Sequence, residues 1–188
     1  MKVHSLREFN LQMLAPLTEI LTNRFILRPL SVDDVSVRYA GWLSDKSTSQ
    51  YITTKLNLAE LRQYVHEHSN REDVLFLGIF EKETGLHIGN IKFEPVNSKL
   101  GYAIMGILIG ENDWRGQGVA KEAILASAEW LRKHRNIREI ALGVSRANTA
   151  AIRAYQKVGF VEESTKFIPI VTDENMTMVW YLKTSQHK

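Results

Sequence analysis

The segment ILIGENDWRGQGVAKEAI, residues 107–124, contains an apolar run, a short polar loop with two glycines and the beginning of an amphipathic pattern. This order predicts a β-strand, a turn and a helix. Gly116 and Gly118 would let the main chain turn tightly, and free N–H groups at the start of the helix would suit an anion such as a diphosphate. A solvated glycine turn beside an exposed arginine explains RGQG equally well, so this segment alone leaves the function open.

The flanking sequence predicts seven strands and four helices. Residues 24–30 alternate as a half-buried strand, and capping-box residues followed by helical spacing predict helices over 31–43 and 57–65. Three antiparallel strands in a meander are expected between 74 and 110. A helix, a strand, a second helix that ends near Gly159, and two short strands complete the order. Residues 1–21 have no clean period and are expected to form a loosely docked lead-in.

The composition favours a single globular domain spanning residues 1–188. Hydrophobic residues make up 44% and the net charge is +3, which argues against a nucleic-acid-binding surface. The absence of cysteine excludes a disulfide framework, a thiolate metal site and a cysteine acyl-enzyme. No stretch approaches the roughly 18 apolar residues of a membrane helix and no signal peptide is evident. We therefore expect a cytoplasmic protein without a membrane partner.

Two spaced motifs together carry a resemblance to a known family. Arg115, Gly118 and Ala120 fit R-x-x-G-x-[GA], and the residues from Asn148 to Phe160 fit N-x-x-A-x-x-x-Y-x-x-x-G-F. These motifs resemble the signatures of the GNAT superfamily of N-acetyltransferases. The opening LTNRFILRPLSVDD, residues 21–34, is similar to the branch that includes ribosomal-protein N-terminal acetylases. The resemblance covers roughly residues 22–183.

The resemblance implies an α+β fold with a mixed, mostly antiparallel sheet of about seven strands and flanking helices. Its fourth and fifth strands would splay apart and hold coenzyme A between them. Acetyl-CoA is then the expected cosubstrate, with no metal. The implied coenzyme-binding residues are Ile107, Leu108, Ile109, Arg115, Gly116, Gln117, Gly118, Val119, Ala120, Asn148 and Tyr155.

The resemblance also implies a general acid. Tyr155 would protonate the departing coenzyme A thiolate, because a phenol with an unperturbed pKa of about 10 keeps its proton near neutrality. Packing on one helix face would explain a tyrosine here as well, and capping of the helix would explain Asn148.

A general base is harder to assign. Many relatives carry a carboxylate on the strand equivalent to residues 101–109, where this chain has Ala103, Ile104 and Met105. Glu94, at the end of the preceding strand, is the candidate base and would act through water. His66 and His68 are two positions apart on a predicted helix, so they cannot share a metal ion and are expected to be surface residues.

The predicted function is direct transfer of acetyl from acetyl-CoA to a primary amine. The acceptor site is expected in residues 41–55 and 164–175, where Lys46, Lys55 and Lys166 would meet a phosphate, as in an amino-sugar nucleotide. Neither segment has a dense carboxylate cluster, which argues against a polyamine.

Other functions and partners stay open. A protein N-terminus is an alternative acceptor, and the missing strand carboxylate would suit a non-catalytic acyl-CoA sensor. The prediction allows a homodimer. A dinucleotide-binding fold is excluded, because three consecutive strands precede RGQG and no G-x-G-x-x-G follows the first strand.

Overall fold

A computed structural model describes residues 19–45, 56–168 and 172–183. Within these ranges four α-helices flank one eight-stranded sheet. The strands are β1 (Ile20–Leu21), β2 (Phe25–Pro29), β3 (Leu75–Glu81), β4 (His87–Asn97), β5 (Tyr102–Ile109), β6 (Glu139–Ser145), β7 (Val161–Glu162) and β8 (Asn175–Tyr181). The helices are α1 (Val37–Ser44), α2 (Leu58–Ser69), α3 (Val119–Arg135) and α4 (Thr149–Val158). No helix in the described ranges is both long and apolar enough to span a membrane.

The sheet order confirms the predicted α+β fold. The strands lie in the order β1-β2-β3-β4-β5-β6-β8-β7, and every neighbouring pair is antiparallel except β5 and β6. Helix α3 supplies the crossover that two parallel strands require. The predicted meander corresponds to β3, β4 and β5.

The first strand was not predicted. Ile20 and Leu21 pair with Leu27 and Ile26, so the described end of the expected lead-in belongs to the sheet. Thr22 closes this hairpin, since its hydroxyl accepts a hydrogen bond from the N–H of Phe25 at 2.8 Å. A two-residue strand is too short to show a period, which is why the pattern missed it. Residues 1–18 lie outside the described residues.

The start of the first predicted helix was wrong by six residues. Ser31 and Asp34 do form a capping box, but it closes a single 3₁₀ turn, Val32–Asp34. The helix begins at Val37, where the Ser36 hydroxyl accepts a hydrogen bond from the Tyr39 N–H at 3.1 Å. The Asp34 carboxylate is also bound by the Arg28 guanidinium on β2, which holds the turn against the sheet. A capping box therefore marked the right region but not the right turn.

Helices cover both faces of the sheet. On one face, α3 and α4 pack on strand residues such as Leu77, Ile91 and Met105. On the other face, α1 and α2 pack on Phe76 and Phe80. Because side chains alternate along a strand, Gly106 of β5 lies on the face of α1 and α2. The two faces of β5 are therefore turned toward different pairs of helices.

Candidate active site

The parallel pair β5 and β6 separates part-way along its length. The two strands pair only at Tyr102↔Glu139, Ala103↔Ile140 and Ile104↔Ala141. Beyond this point β5 remains paired with β4 as far as Ile109, and β6 remains paired with β8 as far as Ser145. In the predicted order, which lacks β1, the fourth and fifth strands are β5 and β6. The splay that the resemblance implies between these two strands is therefore present.

Main-chain groups from both strands point into this opening. The Gly110 N–H donates to the Ile88 carbonyl at 2.9 Å, so antiparallel alternation turns the N–H and C=O groups of Ile107 and Ile109 away from β4 and into the opening. The same alternation turns the N–H and C=O groups of Leu108 toward β4. On β6, the bond from the Arg146 N–H to the Glu174 carbonyl places the main-chain groups of Gly143 in the opening. An extended polar chain between the strands would find hydrogen-bond partners on both sides.

The loop after β5 presents N–H groups at the start of α3. Gly116 and Gly118 have φ values of 73° and 79°, a left-handed conformation that only glycine adopts readily. Across the described ranges, no protein acceptor pairs with the N–H groups of residues 116–120. These N–H groups lie at the positive end of a 17-residue helix, an arrangement that suits an anion, and binding of a diphosphate here stays a prediction.

Side chains of the loop maintain its shape. The Arg115 guanidinium donates to the carbonyls of Ile109 and Gly110, at 2.9 and 3.1 Å, and so ties the loop to the end of β5. The Gln117 amide donates to the Asp113 carbonyl at 2.6 Å. Direct bonds from these two side chains to a coenzyme stay a prediction, whereas their contribution to loop geometry is evident.

Arg24 holds the loop before α3 to the first turn of that helix, a role that the sequence did not predict. Its guanidinium binds the Glu122 carboxylate in the first turn of α3, at 2.9 Å, and the Gln117 carbonyl, at 3.1 Å. Burial raises the pKa of Glu122, but hydrogen bonds from Arg24 and Thr22 outweigh it and leave the pKa below its ordinary value. The resulting carboxylate would repel a bound diphosphate, and the Arg24 cation offsets that repulsion. No local signal joins two residues 98 positions apart.

Tyr155 lies on the face of α4 that packs on the sheet. It shares this hydrophobic cluster with Ile107 and Ile109 of β5 and contacts the Phe160 ring at a centroid distance of 5.8 Å. Burial raises the pKa of Tyr155 to about 12. Its hydroxyl has no hydrogen-bond partner among residues that the structure describes, so the proton is available to an incoming group. Asn148 caps α4, with its side-chain oxygen accepting from the Ala151 N–H at 3.1 Å.

Glu94 lies on β4 beside the point where the splay begins. It sits in a bulge between the pairs Phe93↔Met105 and Val96↔Ala103, hence opposite Ile104. Its carboxylate accepts hydrogen bonds from Lys92, at 2.6 Å, and from Arg71. Burial raises the pKa of Glu94, but Lys92, His68 and Arg71 together hold it below the ordinary value of 4.5. The carboxylate is therefore ionised at neutral pH, as a base must be.

His68 corrects a sequence-based expectation. His66 is exposed, as predicted, but the His68 side chain is only 15% exposed, and its ring is tilted against the Tyr64 ring at a centroid distance of 3.8 Å. Its Nε2 lies 3.4 Å from the Glu94 carboxylate. The fold turns this histidine inward because α2 packs on β3, where the His68 ring lies edge-on to Phe76. In the part of the chain described, no cluster of three or more His, Cys, Asp or Glu side chains could hold a metal ion.

Substitution of Glu94 tests its predicted role as a base. If Glu94 deprotonates the acceptor through water, Glu94→Gln should lower kcat by at least about 10-fold while acetyl-CoA affinity is retained. Asp73→Asn is the matched control, because Asp73 is another carboxylate bound to Arg71, at 2.8 Å. Since the pKa of Glu94 lies below 4.5, its protonation should not lower the rate above about pH 5. Equal kcat values for the two variants would make Glu94 a structural ion-pair partner only.

The described part of the first predicted acceptor segment lines a cavity. Gly41, Trp42 and Asp45 of this segment face the loop after β5 across a space of about 400 Å³. The other lining residues are Arg38, Gly110, Glu111, Asn112 and Asp113. The fold thus brings Asp45 to the two carboxylates of the loop, Glu111 and Asp113, which weakens the argument against a polycationic acceptor. Lys46 and Lys55 lie outside the described residues.

The second predicted acceptor segment folds against the start of β5. The Phe167 ring stacks on Tyr102 with a centroid distance of 3.6 Å and an interplanar angle of 7°. Lys166 places its ammonium group 5.2 Å from the centroid of the Phe167 ring. Thr165 donates to the Glu139 carboxylate at 3.2 Å and so holds the segment on β6.

Comparison with known proteins identifies the family of this chain. Residues 24–161 match the family described as an acetyltransferase (GNAT) domain. The chain belongs to the GNAT acetyltransferase family. An N-acetyltransferase of Bacillus licheniformis, the uncharacterized protein p20, is 28% identical over 149 residues, which cover 77% of this chain and 83% of that protein. The predicted assignment as a GNAT N-acetyltransferase enzyme is confirmed.

Solved GNAT structures share the fold. A Vibrio cholerae protein assigned as a ribosomal-protein-serine acetyltransferase superposes with a TM-score of 0.74 at 17% identity, covering 90% of this chain and all of that one. The spermidine N-acetyltransferase of Vibrio cholerae, in complex with coenzyme A and spermine, superposes with a TM-score of 0.72 at 20% identity, covering 84% and 95%. At these identities the likeness concerns the fold, and the acceptor must be argued from the residues of this chain.

Proposed function

We propose that this GNAT protein transfers acetyl from acetyl-CoA directly to a primary amine, with Tyr155 as the general acid. The observation that carries the proposal is the opening between β5 and β6, which lies next to the N–H groups of residues 116–120. The diphosphate would bind those N–H groups, and the pantetheine arm would lie between the strands. Acyl transfer develops negative charge on the thioester oxygen, which main-chain N–H groups in the opening would stabilise.

We propose direct transfer, without a covalent acyl-enzyme intermediate. The chain contains no cysteine, so no thiol can carry the acetyl group as a covalent intermediate. In the proposed step the amine nitrogen attacks the thioester carbon, the carbon–sulfur bond breaks, and the thiolate takes the Tyr155 proton. The amine loses one proton, for which Glu94 is the candidate acceptor through water. Tyr155 is then reprotonated from solvent, and the products are the N-acetyl amine and coenzyme A.

For the acceptor we propose a small molecule such as an amino-sugar nucleotide. The Tyr102–Phe167 stack and the Lys166 ammonium supply an aromatic surface beside a cation, which suits a ring that carries phosphate. A second candidate is a polycationic amine, favoured by Asp45, Glu111 and Asp113 around the 400 Å³ cavity. Glu111 is partly neutralised there, since Arg38 lies 3.4 Å away. A protein N-terminus is the third candidate.

Release of coenzyme A across an amine panel tests these proposals. The panel contains a uridine-diphosphate amino sugar, a peptide with a free N-terminal serine, spermidine and kanamycin. We expect amine-dependent release of free thiol, with the amino-sugar nucleotide as the best acceptor. Tight acetyl-CoA binding without turnover of any of the four amines would support the non-catalytic sensor instead. Turnover of spermidine alone would move the acceptor site to the carboxylate-lined cavity.

A further inference from the structure

We propose that Gly106 and Gly143 form the opening through which the acceptor reaches the thioester, on the sheet face of α1 and α2. We further propose that the Tyr102–Phe167 stack bounds the same groove. This inference rests on the proposed function, because it names the residues that select the acceptor. Gly106 and Gly143 are together called the glycine opening below.

The two glycines lie opposite each other across the splay. Ile104 and Ala141 are the last paired residues of β5 and β6, and Gly106 and Gly143 follow two positions later on each strand. Two positions along a strand return to the same face, so both glycines lie on the face of α1 and α2. Both are exposed, and a Cβ atom added at either would meet nothing within 4 Å. Among the residues that the structure describes, no side chain therefore lies within 4 Å of either Cβ position on this face of the opening.

Neither packing nor backbone conformation explains these two glycines. At Gly78 and Gly89 of the same sheet, an added Cβ would come within 2.5 and 2.4 Å of neighbouring atoms, so glycine is required there for packing. Gly106 and Gly143 have ordinary extended backbones and open space. Glycine inside a strand costs stability relative to a β-branched residue, and it marks places where a ligand approaches the main chain closely.

The opposite face of the opening is already filled. Ile107, Ile109, Val144 and Tyr155 belong to the cluster packed between the sheet and the helices α3 and α4. The coenzyme is expected between the strands, with its diphosphate at the start of α3. An amine that attacks the thioester can therefore approach only from the face of α1 and α2, where the glycine opening lies.

The stacked rings give the groove an end. Tyr102, Ile104 and Gly106 follow one another on the same face of β5, so Tyr102 lies about 13 Å from Gly106 at ~3.3 Å per residue. Phe167 covers Tyr102, and the bond from Thr165 to Glu139 holds its segment in place. The acceptor inferred from this spacing is elongated, with an apolar or aromatic group about 13 Å from its reactive amine.

Graded substitutions test the glycine opening. Gly106→Val and Gly143→Val should each lower kcat/KM for the best amine of the panel by at least about 30-fold, since displacement of a reactant by 1 Å can cost about 100-fold. Gly143→Ala should have a smaller effect. The affinity for acetyl-CoA, measured by calorimetry, should change by less than about 3-fold. Ala59→Val, on the exposed first turn of α2, is the control for added volume and should leave both quantities unchanged.

The end of the groove is tested separately with Phe167→Ala. This variant should raise KM for the amino-sugar nucleotide of the panel by about 10-fold. It should leave KM for ethanolamine, which cannot reach Phe167, unchanged. Thermal unfolding of every variant checks that the fold is retained.

The outcomes distinguish failure of the proposed function from failure of the glycine opening as the acceptor's route. Absence of turnover of every panel amine by the wild-type protein would refute the proposed function. With turnover established, unchanged kcat/KM in folded glycine variants would overturn the inference. Acetyl-CoA affinity weakened by more than about 10-fold would overturn it as well, since the added side chains would then displace the coenzyme arm and not the acceptor. A fall in kcat/KM with unchanged acetyl-CoA affinity supports it.

Discussion

Gly118→Asp should weaken acetyl-CoA binding by at least about 100-fold. The added carboxylate would stand at the start of α3, among the N–H groups proposed to bind the diphosphate. Two like charges about 5 Å apart repel by about 3 kcal/mol at an effective dielectric constant of 20, which corresponds to more than 100-fold in affinity. An added Cβ would also lie 3.8 Å from the Arg24 guanidinium, so the new carboxylate would draw on the positive charge that offsets Glu122. Calorimetric titration with acetyl-CoA measures the loss.

Gly118→Asn is the matched control for this variant. Asparagine has the same shape as aspartate and tolerates the left-handed conformation at φ 79°, but it carries no charge. Its affinity should fall by less than about 10-fold. Similar affinities for the two variants would show that charge at residue 118 is irrelevant, and a folded Gly118→Asp protein with wild-type affinity would place the diphosphate elsewhere.

Tyr155→Phe should lower kcat by at least about 100-fold at saturating acetyl-CoA. General acids typically contribute ~10²- to 10⁴-fold, and this variant removes the acidic hydroxyl while the ring that contacts Phe160 remains. Acetyl-CoA affinity and thermal stability should change little. The assay needs an amine for which chemistry limits turnover, because slow product release would conceal the effect. Near-wild-type turnover under those conditions would make Tyr155 a packing residue.

The pH dependence gives a second test of Tyr155. The proton is held below the pKa of about 12 and lost above it, so ionisation of Tyr155 should not lower the rate anywhere below about pH 11. An alkaline loss of activity near pH 9 or 10 in the wild-type protein must therefore come from another group. A loss of that kind that disappears in Tyr155→Phe would contradict the raised pKa.

Residues near one another in sequence supplied the parts of the site that could be predicted. Gly116 and Gly118 indicated a left-handed turn before a helix, and the structure has this turn because glycine adopts such φ values at little cost. The apolar run at 107–109 predicted a strand for the same local reason. Alternation could not show that Leu108 turns its main-chain groups toward β4, since this depends on the register with Ile88 and Asn90.

The sequence by itself determined the order of most elements, the glycine-containing turn before α3 and, through two spaced motifs, the family. These features depend on periodicity and on backbone conformations that are fixed within a few residues. Only the tertiary structure decided that Arg24 neutralises Glu122, that His68 faces Glu94, and that Gly106 lies opposite Gly143. Each of these pairs is brought together by strand register or helix packing across tens of residues, and no local pattern encodes the distance between two side chains that far apart in the chain.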